Sequence, residues 1–179
     1  MNTGLSQYEL NNRFVEDISR SSNIIDDSEI NDYNDKPILI GIPSIQKTKF
    51  RVYIFNCTEC TGRRNNGEYR IQLKIKGMDR NKRGSLEADL DSKNLLIGYA
   101  DTIGGIWVIF DAEKHREFAY SANVQVYFRY MLQAMECNVF KYIKNRTNET
   151  VLISDRHHLL EAIQDRVDID FQGMIGDMR

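Results

Sequence analysis

A chain of 179 residues, 41 % hydrophobic and 28 % charged with a formal net charge of −2, is long enough to bury a real core and too short for two large domains. No stretch approaches the roughly 18 to 20 apolar residues of a membrane span, and Met1 to Arg20 lacks the basic start and apolar run of a secretory leader. With three cysteines, an odd number, the composition points to a cytoplasmic protein with reduced thiols and no membrane partner.

The predicted elements begin with an amphipathic helix in which Leu5, Tyr8, Val15 and Ile18 fall near one face, with Phe14 beside them. It leads into the acidic run DDSEINDYNDK at 26–36, so residues 1–36 read as an N-terminal helix and acidic linker, an arm or cap rather than core. From Pro37 to Ile42 a short apolar run predicts a strand that Pro43 ends.

Between Thr48 and Lys76, two runs with apolar alternation, Phe50, Val52, Ile54 and then Tyr69, Ile71, Leu73, Ile75, flank a polar insert from Cys57 to Gly67. The pattern predicts a hairpin of half-buried strands joined by a projecting loop. Arg63, Arg64, Asn65 and Asn66 in that loop are side chains that can bond bidentately to guanine and adenine edges in a major groove, although loops of this composition are also common as solvated turns. The connection at 77–85, GMDRNKRGS, carries Arg80, Lys82 and Arg83 and suits phosphate contacts or a solvated turn equally well.

Two buried strands follow, 95–100 and 105–111, separated by a glycine-bearing turn, with Trp107 expected in the core. Ala112 to Val126 is again polar, with Lys114, His115, Arg116, Tyr120, Ser121, Asn123 and Gln125. Helical spacing returns from Val126 to Cys137, strands are expected at 139–144 and 149–153, and Ser154 is placed to cap a last helix lined by Leu159, Leu160 and Ile163. Short strands with brief helices make a β-rich α+β fold, a closed or half-closed β-structure. The segment 167–179 reads as a linker toward a further domain.

Charge is segregated along this order. Residues 1–36 carry a balance of −5, 37–84 of +8, 85–113 of −5, 114–146 of +4 and 147–179 of −4. Because screening confines each patch to a range of about 8 to 10 Å, the two positive blocks can attract a phosphate backbone whatever the total charge.

Catalytic constellations are incomplete. Gln72-Leu73-Lys74 imitates half of a nuclease metal site, but between Pro37 and Glu68 the sole acid is Glu59, in the loop. Asp89 and Asp91, two apart, could share a metal but fit a solvated acidic turn better. Cys57 and Cys60 have zinc spacing without a second ligand pair, and no phosphate-cradling glycine loop is present. The expectation is a protein with no catalytic residues, no metal and no cofactor in this chain.

The order RVYIFNCTECTGRRNNGEYRIQL, NLLIGYADTIGGIWVIFDAEKH and SANVQV followed by a helix resembles the DNA-recognition domain of bacterial restriction systems. Such domains occur as effector domains of BfiI- and NgoAVII-type restriction enzymes and at the N terminus of the McrB-like subunit of LlaJI-type systems. The resemblance covers about 48 to 166 and implies the seven-stranded DNA-binding pseudobarrel of the plant "B-three" transcription factors, here over 37–166. It implies two arms that enter the major groove of double-stranded DNA, the first being Cys57 to Gly67 and the second lying within 112–125. On that basis Arg63, Arg64, Asn65, Asn66 and Thr61 of the first arm and Tyr120, Ser121, Asn123 and Gln125 of the second are candidates for base edges and nearby backbone. Lys114, Arg116, Arg80, Lys82 and Arg83 are candidates for phosphates, and His115 for either a structural bond or DNA. The implied partners are double-stranded DNA, restriction-system subunits and a GTPase or nuclease domain downstream. A nuclease fragment and an RNA or single-strand binder remain as alternative readings, the latter because Tyr53, Tyr69, Tyr99 and Tyr120 could serve as stacking platforms.

Overall fold

The structure, a computed structural model, describes residues 4–21, 30–45, 49–60, 67–87, 89, 91–102 and 104–177. A mixed six-stranded sheet forms its centre, in the order β1 (Ile38–Gly41), β2 (Lys49–Asn56), β6 (Ser92–Ala100), β7 (Ile106–Phe110), β11 (Glu149–Asp155) and β10 (Val139–Lys144). All its pairs are antiparallel except β2 with β6. The near-continuous apolar runs of β6 and β7 follow from burial on both faces.

On one face, Val52, Ile54, Ile97, Trp107, Ile109 and Leu152 pack with Leu10, Phe14 and Ile18 of α1 (Gln7–Ser21) and Leu159, Ala162, Ile163 and Val167 of α3 (Leu159–Asp177). On the other, Tyr53, Phe55, Leu96, Val108, Phe110, Val151 and Ile153 meet Met131 and Ala134 of α2 (Phe128–Cys137) and a second sheet. That sheet has three strands in the order β3 (Thr58–Glu59), β4 (Glu68–Leu73) and β9 (Ala122–Tyr127), and it contributes Tyr69, Ile71, Leu73, Val124 and Val126. A β-carbon at Gly98 would lie 2.6 Å from Ile71 Cγ2 and 3.2 Å from Cys57 Cβ, so glycine there lets the two sheets approach. A two-stranded ribbon, β5 (Gly84–Ser85) with β8 (Glu117–Phe118), completes the α+β architecture. Among the described residues the strands form these separate sheets and not a closed barrel.

Four expectations change. The two runs around the polar insert do not pair with each other: β2 lies between β1 and β6, whereas β4 lies between β3 and β9. The chain leaves the large sheet at Cys57, whose N–H bonds Tyr99 O at 2.7 Å, and the hairpin is β3 with β4. Sequence alternation identified the strands but not their partners, because both faces of β2 are apolar.

The N-terminal helix is core rather than an outlying cap. Ser6 and Glu9 form a capping box, with Ser6 N–H donating to Glu9 Oε2 at 2.7 Å and Glu9 N–H to Ser6 Oγ at 3.3 Å. Asp17, fully buried, accepts from Trp107 Nε1 at 2.9 Å and from Arg156 Nε and Nη2 at 2.9 and 2.8 Å, which fixes α1 on the sheet. Asn11, also buried, donates to the carbonyls of Tyr33 and Asp35, both at 2.8 Å.

The turn into α3 is capped by Asp155, whose Oδ1 accepts the N–H groups of His157 and His158 at 2.8 and 2.9 Å. Ser154 cannot serve, because its side chain is buried in β11 between Trp107 and Val139. Residues 167–177, read from sequence as part of a linker, continue α3.

Candidate nucleic-acid interface

The outward face of the three-stranded sheet brings together residues from both polar segments. In the β4–β9 register, Arg70 lies opposite Gln125, Gln72 opposite Asn123 and Glu68 opposite Tyr127, while Tyr69, Ile71 and Leu73 point inward with Val126, Val124 and Ala122. Gln72, Asn123 and Gln125 are exposed, and Arg70 is half-buried beside Thr58 of β3. Because side chains two apart share a face, the alternation that turns these six residues inward also places the amides and the guanidinium in two adjacent cross-strand rows.

At one end of this face, Lys74 Nζ lies 5.8 Å from the centre of the Tyr120 ring. Hydrogen bonding from Lys74 lowers the pKa of the Tyr120 phenol, and Arg80 adds to the effect. Ser121 holds the turn into β9 with φ of 58°, and Ala122 N–H closes it on Ala119 O at 3.0 Å. The β5–β8 ribbon and a bond from Leu86 N–H to Arg116 O at 2.8 Å tie the 77–85 connection to the second polar segment. Lys82 and Arg83 are exposed, each at the 4.0 Å limit of an ion pair with Asp79 and Glu117.

At the other end, Gly67 takes φ of 82° and its carbonyl accepts Phe128 N–H at 2.7 Å, anchoring the base of the first arm on α2. Thr61, Arg63, Arg64, Asn65 and Asn66 themselves lie outside the described residues.

The remaining candidates are drawn elsewhere. Arg116 lines a cavity with Asp89, Lys93, Asp111, Glu113 and Asp170, against α3. Lys114 is exposed on the 3-10 turn Glu113–His115. His115 Nε2 is 2.9 Å from Glu149 Oε1, and Lys144 Nζ is 2.8 Å from Glu149 Oε2, so His115 is engaged in a structural contact that anchors this segment. Arg70 and Gln72, which alternate with the inward Ile71 and Leu73, are central to the exposed rows. Their partners across β9 could have been found by aligning Gln72 with Asn123, but strand pairing is not written in alternation alone.

Glu149 is 1 % exposed. Burial pushes its carboxyl up, but hydrogen bonds from His115 and Lys144 outweigh that and hold it below the ordinary carboxylate value. A depressed carboxylate stabilises the fold fully above its unfolded pKa of about 4.3, and that contribution is lost as pH falls through the lower folded value. Thermal melts in acid should therefore show a steep loss of stability below about pH 4. Glu149→Gln should start less stable at neutral pH and converge on the wild type in acid; parallel curves would contradict this.

Residues 48–163, most of the chain and all of the interface, match the methylase-associated X1 family. The chain belongs to that family. Its association with methylases indicates a restriction–modification context, and the matched segment of this X1 domain runs from β2 into α3. No curated protein and no solved structure matches the chain. Among the described residues of the domain, no group of three or more His, Cys, Asp or Glu could hold a metal ion, and no helix is long and apolar enough to cross a membrane.

Proposed function

We propose that this X1 domain recognises specific double-stranded DNA sequences for a restriction–modification system, with the outer face of β3, β4 and β9 as its reading surface. The observation that carries this reading is the pair of cross-strand rows, Arg70 with Gln125 and Gln72 with Asn123, bounded by Lys74, Arg80 and Tyr120. A two-stranded antiparallel ribbon fits a B-DNA major groove about 12 Å wide, and Arg, Asn and Gln are the side chains that pair bidentately with guanine and adenine there. Lys74, Arg80, Lys82 and Arg83 then meet phosphates and fix register. Arg63 and Arg64, in the segment of chain that connects β3 to β4, are assigned further base contacts from the sequence resemblance.

The finer assignment to the B-three-like pseudobarrel rests on the sequence resemblance, and a small sheet folded over a large one through the Cys57 corner is compatible with it. We assign no catalytic step to these residues; cleavage or nucleotide hydrolysis belongs to a partner subunit or a further domain of GTPase or nuclease type.

Selection from a random duplex pool, followed by competition against single-stranded DNA and RNA, tests the proposal. Duplex is expected to win, and Arg70→Ala and Gln125→Ala should each cost about 1–3 kcal/mol on the selected site with little change on scrambled duplex. Stronger binding of RNA, no enriched sequence, or Mg²⁺-dependent cleavage by the isolated chain would overturn it.

A further inference from the structure

Beyond the polar rows, the same sheet face ends in an aromatic patch. Tyr127 is the last residue of β9 and is 45 % exposed. The Arg129 guanidinium lies 4.9 Å from the centre of its ring and 4.8 Å from that of Tyr130, and Arg129 Nη2 donates to Tyr130 Oη at 3.1 Å. Tyr130 meets Tyr127 edge-on at 5.9 Å and packs at 4.2 Å on Tyr142 and 5.5 Å on Phe140, so a backed aromatic wall holds the exposed ring. Directly across the strand pair from Tyr127 stands Glu68, a half-buried carboxylate. Side chains opposite one another in this way have β-carbons about 4.5–5.5 Å apart.

We infer that Tyr127, Arg129 and Glu68 form a subsite for one unstacked nucleobase bearing an exocyclic amino group, adenine, cytosine or guanine, at the edge of the DNA interface. The inference rests on the duplex-binding reading and adds a site to it. An aromatic face with a neighbouring guanidinium stacks any base, and a carboxylate accepts readily from the exocyclic amino group of adenine, cytosine or guanine, whereas thymine offers it a single imide N–H set between two carbonyl oxygens that repel it. Tyr127 occupies the end of the ribbon beside Gly67, where one nucleotide can leave the stack while the rows at Gln125 and Asn123 remain against the duplex. Extruding a paired base costs a few kcal/mol, and a base that is already unpaired escapes most of that cost.

Competition binding with the full chain uses a paired duplex, the same duplex with a single bulged adenine, cytosine, guanine or thymine, and the corresponding single strand. The adenine, cytosine and guanine bulges should bind about tenfold or more tighter than the paired duplex, and tighter than the thymine bulge. In Tyr127→Ala the ratio of bulged to paired affinity should fall toward one, with Tyr127→Phe restoring it. Glu68→Gln, whose amide can turn a donor toward thymine, should narrow the preference over thymine while the bulge is still favoured. Because both residues are at the surface, circular dichroism of the variants should match the wild type. Equal binding of bulged and paired duplex, or an unchanged ratio in Tyr127→Ala, overturns the subsite and leaves duplex recognition standing. Preference for the single strand over every duplex overturns the subsite as stated, and failure to bind any duplex overturns the subsite and the proposed function together.

Discussion

Asp17→Ala is expected to destabilise the fold by about 3–5 kcal/mol, enough to lower the melting temperature by roughly 10 °C or more. Asp17 is wholly buried on α1 and gathers three donors from separate parts of the chain: Trp107 Nε1 on β7, Arg156 after β11, and Arg20 at 3.3 Å one turn along its own helix. Removing the carboxylate strands the indole N–H in the core and leaves Arg156, whose side chain is 22 % exposed, beside a vacated apolar site. Asp17→Asn should recover part of the loss, since its carbonyl oxygen can still accept from Trp107. Denaturant melts of the three proteins provide the measurement; a loss near zero for Asp17→Ala would mean that α1 is held by its apolar face alone.

This contact also shows where sequence reasoning stopped. The apolar stripe of α1 was legible from Val15, Ile18 and Phe14, but the acidic run after it made the segment look peripheral. The buried carboxylate that ties it down looks, in sequence, like any other charge on a helix. Strands β10 and β11 were legible because their alternation and turn are local, and α2 because Tyr130, Met131, Ala134 and Cys137 keep helical spacing. The pairing of β4 with β9 joins residues about fifty positions apart and follows no local signal. As a result the rows of Arg70 and Gln72 are not legible in the sequence, nor is the Glu149 that occupies His115. Tyr127 escaped attention because its exposure depends on the turn from β9 into α2; by spacing alone it reads as one more apolar residue of that helix. The polar and basic character of the two segments was legible throughout, since composition does not depend on pairing.

Salt supplies the sharpest test of how those segments hold DNA. If about six phosphates are neutralised by the basic residues around the sheet face, duplex affinity should fall by roughly a thousandfold between about 50 and 200 mM salt. The contributors differ in kind. Lys82 and Arg83 are exposed, with ion pairs no closer than 4.0 Å, so they exchange a weak surface contact for a phosphate at little cost. Lys74 lies 5.8 Å from the centre of the Tyr120 ring and, with Arg80, lowers that phenol's pKa, so the positive potential at that end of the face makes it the expected anchor. Arg116 sits among Asp111, Glu113 and Asp170 in the cavity beside α3, where neighbouring carboxylates compete for it. Lys82→Ala should therefore weaken selected and scrambled duplexes alike and flatten the slope of log affinity against log salt by about one unit, whereas Arg116→Ala should leave the slope nearly unchanged. Titrations of the wild type and both variants at several salt concentrations decide the matter. An affinity indifferent to salt would remove the positive segments from the phosphate backbone, and a flattened slope for Arg116→Ala instead of Lys82→Ala would move the duplex from the small sheet to the α3 side of the molecule.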